Sequence, residues 1–387
     1  MQARRRISIL GSTGSIGVNT LDVVRHMGGR DAFEVVALTG RGNVELLARQ
    51  ARETGARYAV SADEAALPAL RSALAGSGVE AAAGAQALEQ LAAQPVDWVM
   101  AGIVGIAGLK PTLAAARSGA TVALANKECL VSGGALFKRE IARAGSRLLP
   151  VDSEHNAIFQ VLDTSQPDAV ERIILTASGG PFRTWPLEKM RDVTPAQAAA
   201  HPNWSMGVKI SIDSATLFNK ALEMIEADRL FGAPGRSLEV VIHPQSVIHS
   251  MVGYRDGSTL AQLGAPDMRT AIGYALGWPQ RPDLPVQRLD FTKVARMDFE
   301  APDEARFPAL RLAREAIAAG GLAGAVLNGA KEVALEAFIA GRIGLLDIAA
   351  TVERVMQALG APAATGIDAV FDADARARRM AAELVAG

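Results

Sequence analysis

Short apolar runs alternate with amphipathic stretches along the first third of the chain. Residues 6–10, 33–38, 58–60, 97–101 and 121–125 are apolar, and each run is bounded by glycine or polar residues. Runs of this length predict buried parallel strands. Between them, apolar residues recur at helical spacing over 18–27, 46–54, 64–74, 85–93 and 109–118. Strand and helix in alternation predict an α/β unit, a Rossmann-like parallel sheet covered by helices. Beyond Pro150 the pattern changes. A helix over 155–162, a strand over 172–176 and a helix carrying Ser214 to Glu223 come first. Alternation over 238–242, 246–254 and 258–263 then predicts antiparallel hairpins, hence a second, α+β domain. Residues 278–307 read as an ordered connector, and helical patterns over 308–320, 323–340, 346–359 and 367–385 as a short-loop bundle. The predicted organisation is a dinucleotide domain over 1–150, a catalytic and dimerisation domain over 151–277, a linker over 278–307 and a C-terminal helical bundle over 308–387.

Composition narrows the classes. A chain of 387 residues exceeds one core. The formal net charge of −1 provides no global field for nucleic acid or an anionic membrane. Cys129 is the only cysteine, which excludes an internal disulfide and a cysteine-based zinc site. No apolar run approaches the roughly 20 residues that span a bilayer. The basic start, Met1 to Arg6, leads straight into a strand rather than a signal-peptide apolar region. The expectation is a soluble cytoplasmic enzyme.

The first strand ends in Gly11-Ser-Thr-Gly-Ser-Ile-Gly17, followed by a helix. That context lets a backbone approach a pyrophosphate placed on the helix N-terminus, where free N–H groups and the dipole favour anions. Thr13, Gly14, Ser15 and Ile16 are the candidate contacts. The second strand ends Thr39-Gly-Arg-Gly-Asn43 without the carboxylate that bonds the ribose of NAD. Arg41, Gly42 and Asn43 stand where a 2′-phosphate would lie, which favours NADP(H). A further strand ends in Asn126-Lys127-Glu128, the edge at which parallel sheets bind ligands. Cys129, which follows, reads as a buried inert thiol.

The densest chemistry lies in Asp152-Ser-Glu-His-Asn156 and in Asn219, Lys220 and Glu223. With extended backbone, Asp152 and Glu154 share a face and Ser153 points elsewhere. Asn219, Lys220 and Glu223 lie on one side of a helix. Three carboxylates without thiolates suit Mg²⁺ or Mn²⁺. Lys220, Asn219 and Ser214 offer a phosphate one compact charge plus neutral donors. Ser178 before Gly179 and Gly180 is a candidate anion nest. The segment 198–209, with His201 and Trp204, reads as a loop able to act as a lid; His201 is the candidate functional histidine, whereas His243 and His249 lie in an alternating strand and read as structural.

Together these motifs resemble one family, 1-deoxy-D-xylulose 5-phosphate reductoisomerase of the non-mevalonate isoprenoid pathway. The glycine turn, Leu124-Ala-Asn-Lys-Glu128, Pro150-Val-Asp-Ser-Glu-His-Asn-Ala157, Thr176-Ala-Ser-Gly-Gly-Pro-Phe182, His201-Pro-Asn-Trp-Ser-Met-Gly207, the run from Lys209 to Glu223, and Leu327-Asn-Gly-Ala-Lys-Glu332 carry the resemblance over essentially the whole chain. It implies a V-shaped homodimer that uses NADPH and a divalent metal (Mn²⁺ or Mg²⁺). Asp152, Glu154 and Glu223 would hold the metal. Substrate contacts would come from Lys127, Ser153, Glu154, Ser178, His201, Ser214, Asn219, Lys220 and Glu223. NADPH contacts would come from Thr13, Gly14, Ser15, Ile16, Asn43, Asn126, Glu128 and Gly207. Lys127, Asp152, Glu154, His201 and Glu223 are the implied catalytic set. One departure stands out: Gly42 occupies a position where many members carry Lys or Arg, and Arg41 precedes it. The implied reaction rearranges the carbon skeleton by retro-aldol and aldol steps and then reduces the resulting aldehyde. Two competitors remain: a semialdehyde dehydrogenase-like enzyme, which needs a nucleophilic cysteine, and an NADPH-sensing regulator, which has no use for an acidic triad.

Overall fold

The computed structural model describes residues 4–204, 207–232 and 235–386. Its chain forms two compact units, neither contiguous in sequence. The first comprises Met1–Cys129, Phe137–Asn156 and Asp267–Gln287; the second comprises Leu130–Leu136, Ala157–Pro266 and Arg288–Gly387.

The first unit is built on seven parallel strands: β1 (Arg5–Leu10), β2 (Phe33–Gly40), β3 (Tyr58–Ser61), β4 (Glu80–Ala83), β5 (Trp98–Ala101), β6 (Thr121–Leu124) and β7 (Leu148–Pro150). Their order is β4-β3-β2-β1-β5-β6-β7, so the winding reverses between β1 and β5. Doubly wound sheets bind ligands at that crevice, outside the carboxyl ends of the strands. The predicted strands are present. β4 escaped prediction because its sequence, Glu-Ala-Ala-Ala, lacks the branched and aromatic residues that mark strands. Ile7, Ile9, Leu38, Val60, Trp98 and Met100 are fully buried, as strands covered on both faces require. Helix Met268–Gly277 closes one side of this unit against β6 and β7. Trp98 Nε1 donates to the carbonyl of Ala275, 3.2 Å away, so the buried indole leaves no unpaired donor.

The second unit holds β8 (Val170–Ala177), β9 (Ser237–Ile242), β10 (Ile248–Tyr254) and β11 (Thr259–Leu263), ordered β11-β10-β8-β9. The pattern after Ser237 predicts consecutive hairpins, and only β10–β11 is one. β9 instead runs parallel to β8, which separates it from β10. Alternation reports which face of a strand is buried and is silent about its neighbour. The stretch expected as a connector is divided, with residues up to Gln287 in the first unit and those from Arg288 in the second, where Glu300 and Ile242 exchange both backbone hydrogen bonds at 2.9 Å. The four C-terminal helices occur at Ala309–Ala319, Ala323–Ile339, Leu345–Leu359 and Ile367–Ala386. Among the described residues no helix is long and apolar enough to cross a membrane.

Candidate active site

In the first unit the site begins with the glycine turn. Gly11 has φ +87°, and a Cβ there would lie 2.7 Å from the carbonyl oxygen of Gly102, which follows β5. Only glycine lets these two strand ends meet. Gly17 is likewise closed: a Cβ would stand 2.5 Å from the Ser12 carbonyl carbon and closer still to its Cα. The turn is pinned from beneath, because Gly11 N–H donates to Thr39 Oγ1 (2.8 Å) and Ser12 Oγ to Gln50 Oε1 (2.9 Å). Helix Ser15–His26 then starts with no side-chain cap; Gly14 and Ser15 are exposed, and Thr13 and Ile16 half-buried. Uncapped N–H groups beside a turn with glycine at 11, 14 and 17 fit a dinucleotide pyrophosphate. Arg41, Gly42 and Asn43 are exposed after β2, and Asn43 Oδ1 caps helix Val44–Thr54 by accepting from Leu46 N–H (3.0 Å).

Asn126 is placed differently from a ligand-facing side chain. It is buried; its Nδ2 donates to the carbonyls of Ile103 and Gly105, and its Oδ1 accepts from Cys129 N–H (2.9 Å). The side chain therefore clasps the loop after β5 to the start of helix Glu128–Arg143. Glu128, at the first position of that helix, is also buried.

β6 and β7 deliver the charged pair of this unit. Lys127 Nζ lies 2.9 Å from Asp152 Oδ2, with side chains 16% and 11% exposed. The extended geometry expected around Asp152 is not what occurs. Helix Ser153–Val161 starts one residue later, and Asp152 occupies its N-terminal cap, with Oδ1 accepting from Glu154 N–H at 3.2 Å. An aspartate that can satisfy a free helix N–H ends the strand early. Ser153 and Glu154 are consequently neighbours, with Ser153 Oγ donating to Glu154 Oε2 at 2.6 Å. His155 was missed by the sequence reading. Its ring is fully buried with Nδ1 3.0 Å from Asp152 Oδ1, so it orients that carboxylate. A histidine three residues after an acid at a helix start was the available signal.

In the second unit β8 ends at Ala177, and Ser178, Gly179 (φ +83°) and Gly180 (φ +68°) follow. Ser178 Oγ lies 2.9 Å from His201 Nε2 and accepts from Gly180 N–H at 3.2 Å. His201 Nδ1 accepts from the N–H groups of Asn203 (3.2 Å) and Trp204 (3.0 Å). Two donors on Nδ1 place the proton of the neutral ring on Nε2, which therefore donates to Ser178. Burial lowers the His201 pKa from its ordinary value, favouring that neutral form. Trp204 meets His249 edge to face at 6.0 Å. The His249 pKa is lowered to about 4, first by burial and, to a lesser degree, by the nearby charge of Lys220. The expected loop over 198–209 is shorter at both ends: helix Pro195–Ala199 runs into it, residues 200–204 are irregular, Ser205 and Met206 lie outside the described residues, and Gly207 opens helix Val208–Ala215.

Ser214 and Glu223 were expected on one helix and occupy two. Helix Val208–Ala215 ends just after Ser214, and helix Phe218–Phe231 starts after Leu217, whose φ is +60°. A left-handed leucine is costly, roughly 1–3 kcal/mol, and here breaks the chain direction between the two helices. Asn219, Lys220 and Glu223 do share a side: Asn219 Nδ2 donates to Glu223 Oε1 and Lys220 Nζ pairs with Glu223 Oε2, with Lys220 and Glu223 almost wholly buried. Cys129 is buried, and the hydrogen bond above belongs to its backbone N–H.

Comparison with known proteins agrees from end to end. Family models match in chain order: 1-deoxy-D-xylulose 5-phosphate reductoisomerase over residues 7–134, its C-terminal domain over 148–231, and the DXP reductoisomerase C-terminal domain over 263–380. A curated 1-deoxy-D-xylulose 5-phosphate reductoisomerase of Rhizobium meliloti (strain 1021) is 66% identical over 383 residues, covering 99% of this chain and 98% of its own. One from Sinorhizobium fredii is 67% identical over 385 residues, covering 99% and 98%. Among solved structures, the enzyme from Zymomonas mobilis in complex with NADPH superposes with a TM-score of 0.94 at 53% identity, covering 99% of both chains. A DOX-P reductoisomerase in complex with NADPH, fosmidomycin and magnesium gives 0.93 at 39% identity, covering 99% of this chain and 98% of its own.

Proposed function

The chain belongs to the 1-deoxy-D-xylulose 5-phosphate reductoisomerase family, and from that premise we propose how its residues divide the work. It is an NADPH- and metal-dependent enzyme that converts 1-deoxy-D-xylulose 5-phosphate to 2-C-methyl-D-erythritol 4-phosphate.

Asp152, Glu154 and Glu223 hold one divalent cation. Three carboxylates without a thiolate suit a hard ion, and magnesium is named in a related structure. The ion, when bound, supplies a Lewis acid and a template for the carbonyl and neighbouring hydroxyl of the sugar. His155 keeps the Asp152 carboxylate in one orientation, and Lys127 stands at its second oxygen, able to donate to a substrate oxygen beside it. Lys220 neutralises Glu223 in the present arrangement and turns to the substrate phosphate when that carboxylate is otherwise engaged. Ser178, His201, Ser214 and Asn219 complete the phosphate contacts. His201 presents a neutral N–H to this anion and thus binds rather than abstracts. Thr13, Gly14, Ser15 and Ile16 receive the pyrophosphate of NADPH, which supplies the hydride, and Arg41 with Asn43 faces the 2′-phosphate. Asn126 and Glu128 shape the floor of that crevice, and Gly207 starts the helix that follows the Trp204 loop.

The observation that carries this reading is the pairing of the charged candidates within each unit: Lys127 with Asp152 just after β6 and β7, and Lys220 with Glu223 on the helix that follows Leu217. The chain acts as a cytoplasmic homodimer, for which the resemblance and the exposed edge strand β11, with Leu260 half-exposed, are the support. The test is NADPH oxidation on adding 1-deoxy-D-xylulose 5-phosphate, with and without Mn²⁺. Oxidation that needs both sugar phosphate and metal supports the reading; metal-independent oxidation overturns it.

A further inference from the structure

The motif Leu327-Asn-Gly-Ala-Lys-Glu332 sits on helix Ala323–Ile339 of the C-terminal bundle and has no part in the chemistry described so far. Its lysine is buried, and Lys331 Nζ lies 2.8 Å from Asp213 Oδ2 with side chains 4% and 10% exposed. The other oxygen of that carboxylate, Asp213 Oδ1, is buried with no hydrogen-bond partner among the described residues. Asp213 directly precedes Ser214. We propose that Lys331 is a positioning residue: it clamps helix Val208–Ala215 through Asp213 and so fixes Ser214 in the phosphate pocket, a role that rests on the phosphate reading above.

Three features within this unit support the clamp. The same two helices are joined a second time, where Lys209 Nζ lies 2.6 Å from Glu336 Oε1. Residues 209 and 213 are about one turn apart, and their partners, 336 and 331, follow in the opposite sense along the second helix, so the two helices run antiparallel here. The outer pair is more than half exposed and contributes little alone; the buried pair sets the register. At the far end, the helix is pressed against the Ser178 turn: a Cβ on Gly180 would lie 2.9 Å from both the Ser214 carbonyl oxygen and the Ala215 Cα. A sliding helix would thus carry Ser214 away from Ser178. The lysine end is itself anchored, because Asn328 is wholly buried and Glu332 is paired with Arg378 of helix Ile367–Ala386. Breaking a buried pair strands a charge, and replacing both partners avoids that.

The test compares the wild type, Lys331→Met, Lys331→Arg and the double variant Asp213→Asn with Lys331→Met. Each is assayed with the 5-phosphate and with the sugar lacking phosphate. In the double variant the preference for the phosphorylated substrate, taken as the ratio of the two kcat/KM values, falls about tenfold, the scale expected for a displaced contact. Lys331→Arg restores most of it, and KM for NADPH is unchanged. A double variant that folds and keeps the wild-type ratio overturns the proposal, because a merely stabilising pair leaves that ratio alone. Ser214→Ala in parallel separates the two readings. If Ser214→Ala lowers the ratio and the double variant does not, only the clamp fails; if Ser214→Ala leaves it untouched, the phosphate assignment of Ser214 fails and the clamp with it.

Discussion

Two alanine substitutions in the first glycine turn distinguish tight packing from a surface that receives a ligand. At Gly17 the added methyl would stand 2.5 Å from the Ser12 carbonyl carbon, about 1 Å inside an ordinary contact. Both neighbours are backbone, so helix Ser15–His26 must retreat. Overpacking of this kind costs about 1–3 kcal/mol, and each kcal/mol lowers the unfolding midpoint by about 2–4 °C in a unit of this size. Gly17→Ala should therefore lose both stability and NADPH affinity. Gly14 differs: its φ of −79° and ψ of 170° suit any residue, and the nearest atom to a Cβ is the Gly11 carbonyl oxygen at 3.5 Å. Gly14→Ala should melt like the wild type. Its methyl meets no other protein atom within 4 Å, so on the proposed pyrophosphate placement about 1–3 kcal/mol of crowding should weaken NADPH about 5- to 150-fold. Titration of nicotinamide fluorescence and thermal unfolding followed by circular dichroism read the two effects separately. A Gly14→Ala protein that binds NADPH with unchanged affinity would remove the pyrophosphate from this turn.

Other perturbations test the second unit and the thiol. Lys220→Ala should raise KM for the sugar phosphate about 10–100-fold, the worth of one charge-assisted hydrogen bond, with kcat little changed; an unaltered KM takes Lys220 out of the phosphate site. Cys129→Ser should keep near wild-type activity, since the thiol is buried; abolished turnover would favour a thioester route. His249 should make the fold acid-sensitive. It binds a proton near pH 4 when folded and near 6.5 when unfolded, so between these values the unfolded chain holds more protons and stability falls as pH is lowered. The loss is about 3 kcal/mol by pH 4, and His249→Gln should remove about one proton from the slope of urea-unfolding stability against pH. An unchanged slope would show that His249 is not held neutral.

The parts of the fold that sequence displays are those where hydrophobic period and glycine placement act locally. β1, its glycine turn and the following helix are legible because burial on both faces and a positive φ each constrain residue type. The one-sided grouping of Asn219, Lys220 and Glu223 follows from helical spacing alone. What the sequence hides depends on contacts distant in the chain or on conformations that residue type does not announce. Leucine carries no turn preference, so nothing in Leu217 reveals the break that places Ser214 on a separate helix. The Nδ2 of Asn126 is consumed by the backbone of a loop more than twenty residues earlier, and its Oδ1 by the N–H of Cys129. Asp152 could extend a strand or cap a helix, and the hydrogen bond from Glu154 N–H decides for the cap. The partner of β9 is set by where β8 lies, which alternation does not encode.

The central proposal is that Asp152, Glu154 and Glu223 bind a single cation together. Mn²⁺ titration followed by electron paramagnetic resonance, on the wild type and on Asp152→Asn, Glu154→Gln and Glu223→Gln, tests it without depending on turnover. The expected result is one Mn²⁺ per chain in the wild type and markedly weaker binding in all three variants, with Glu223→Gln inactive at limiting metal. Wild-type Mn²⁺ affinity in Glu223→Gln alongside its loss in Asp152→Asn would contradict the shared site.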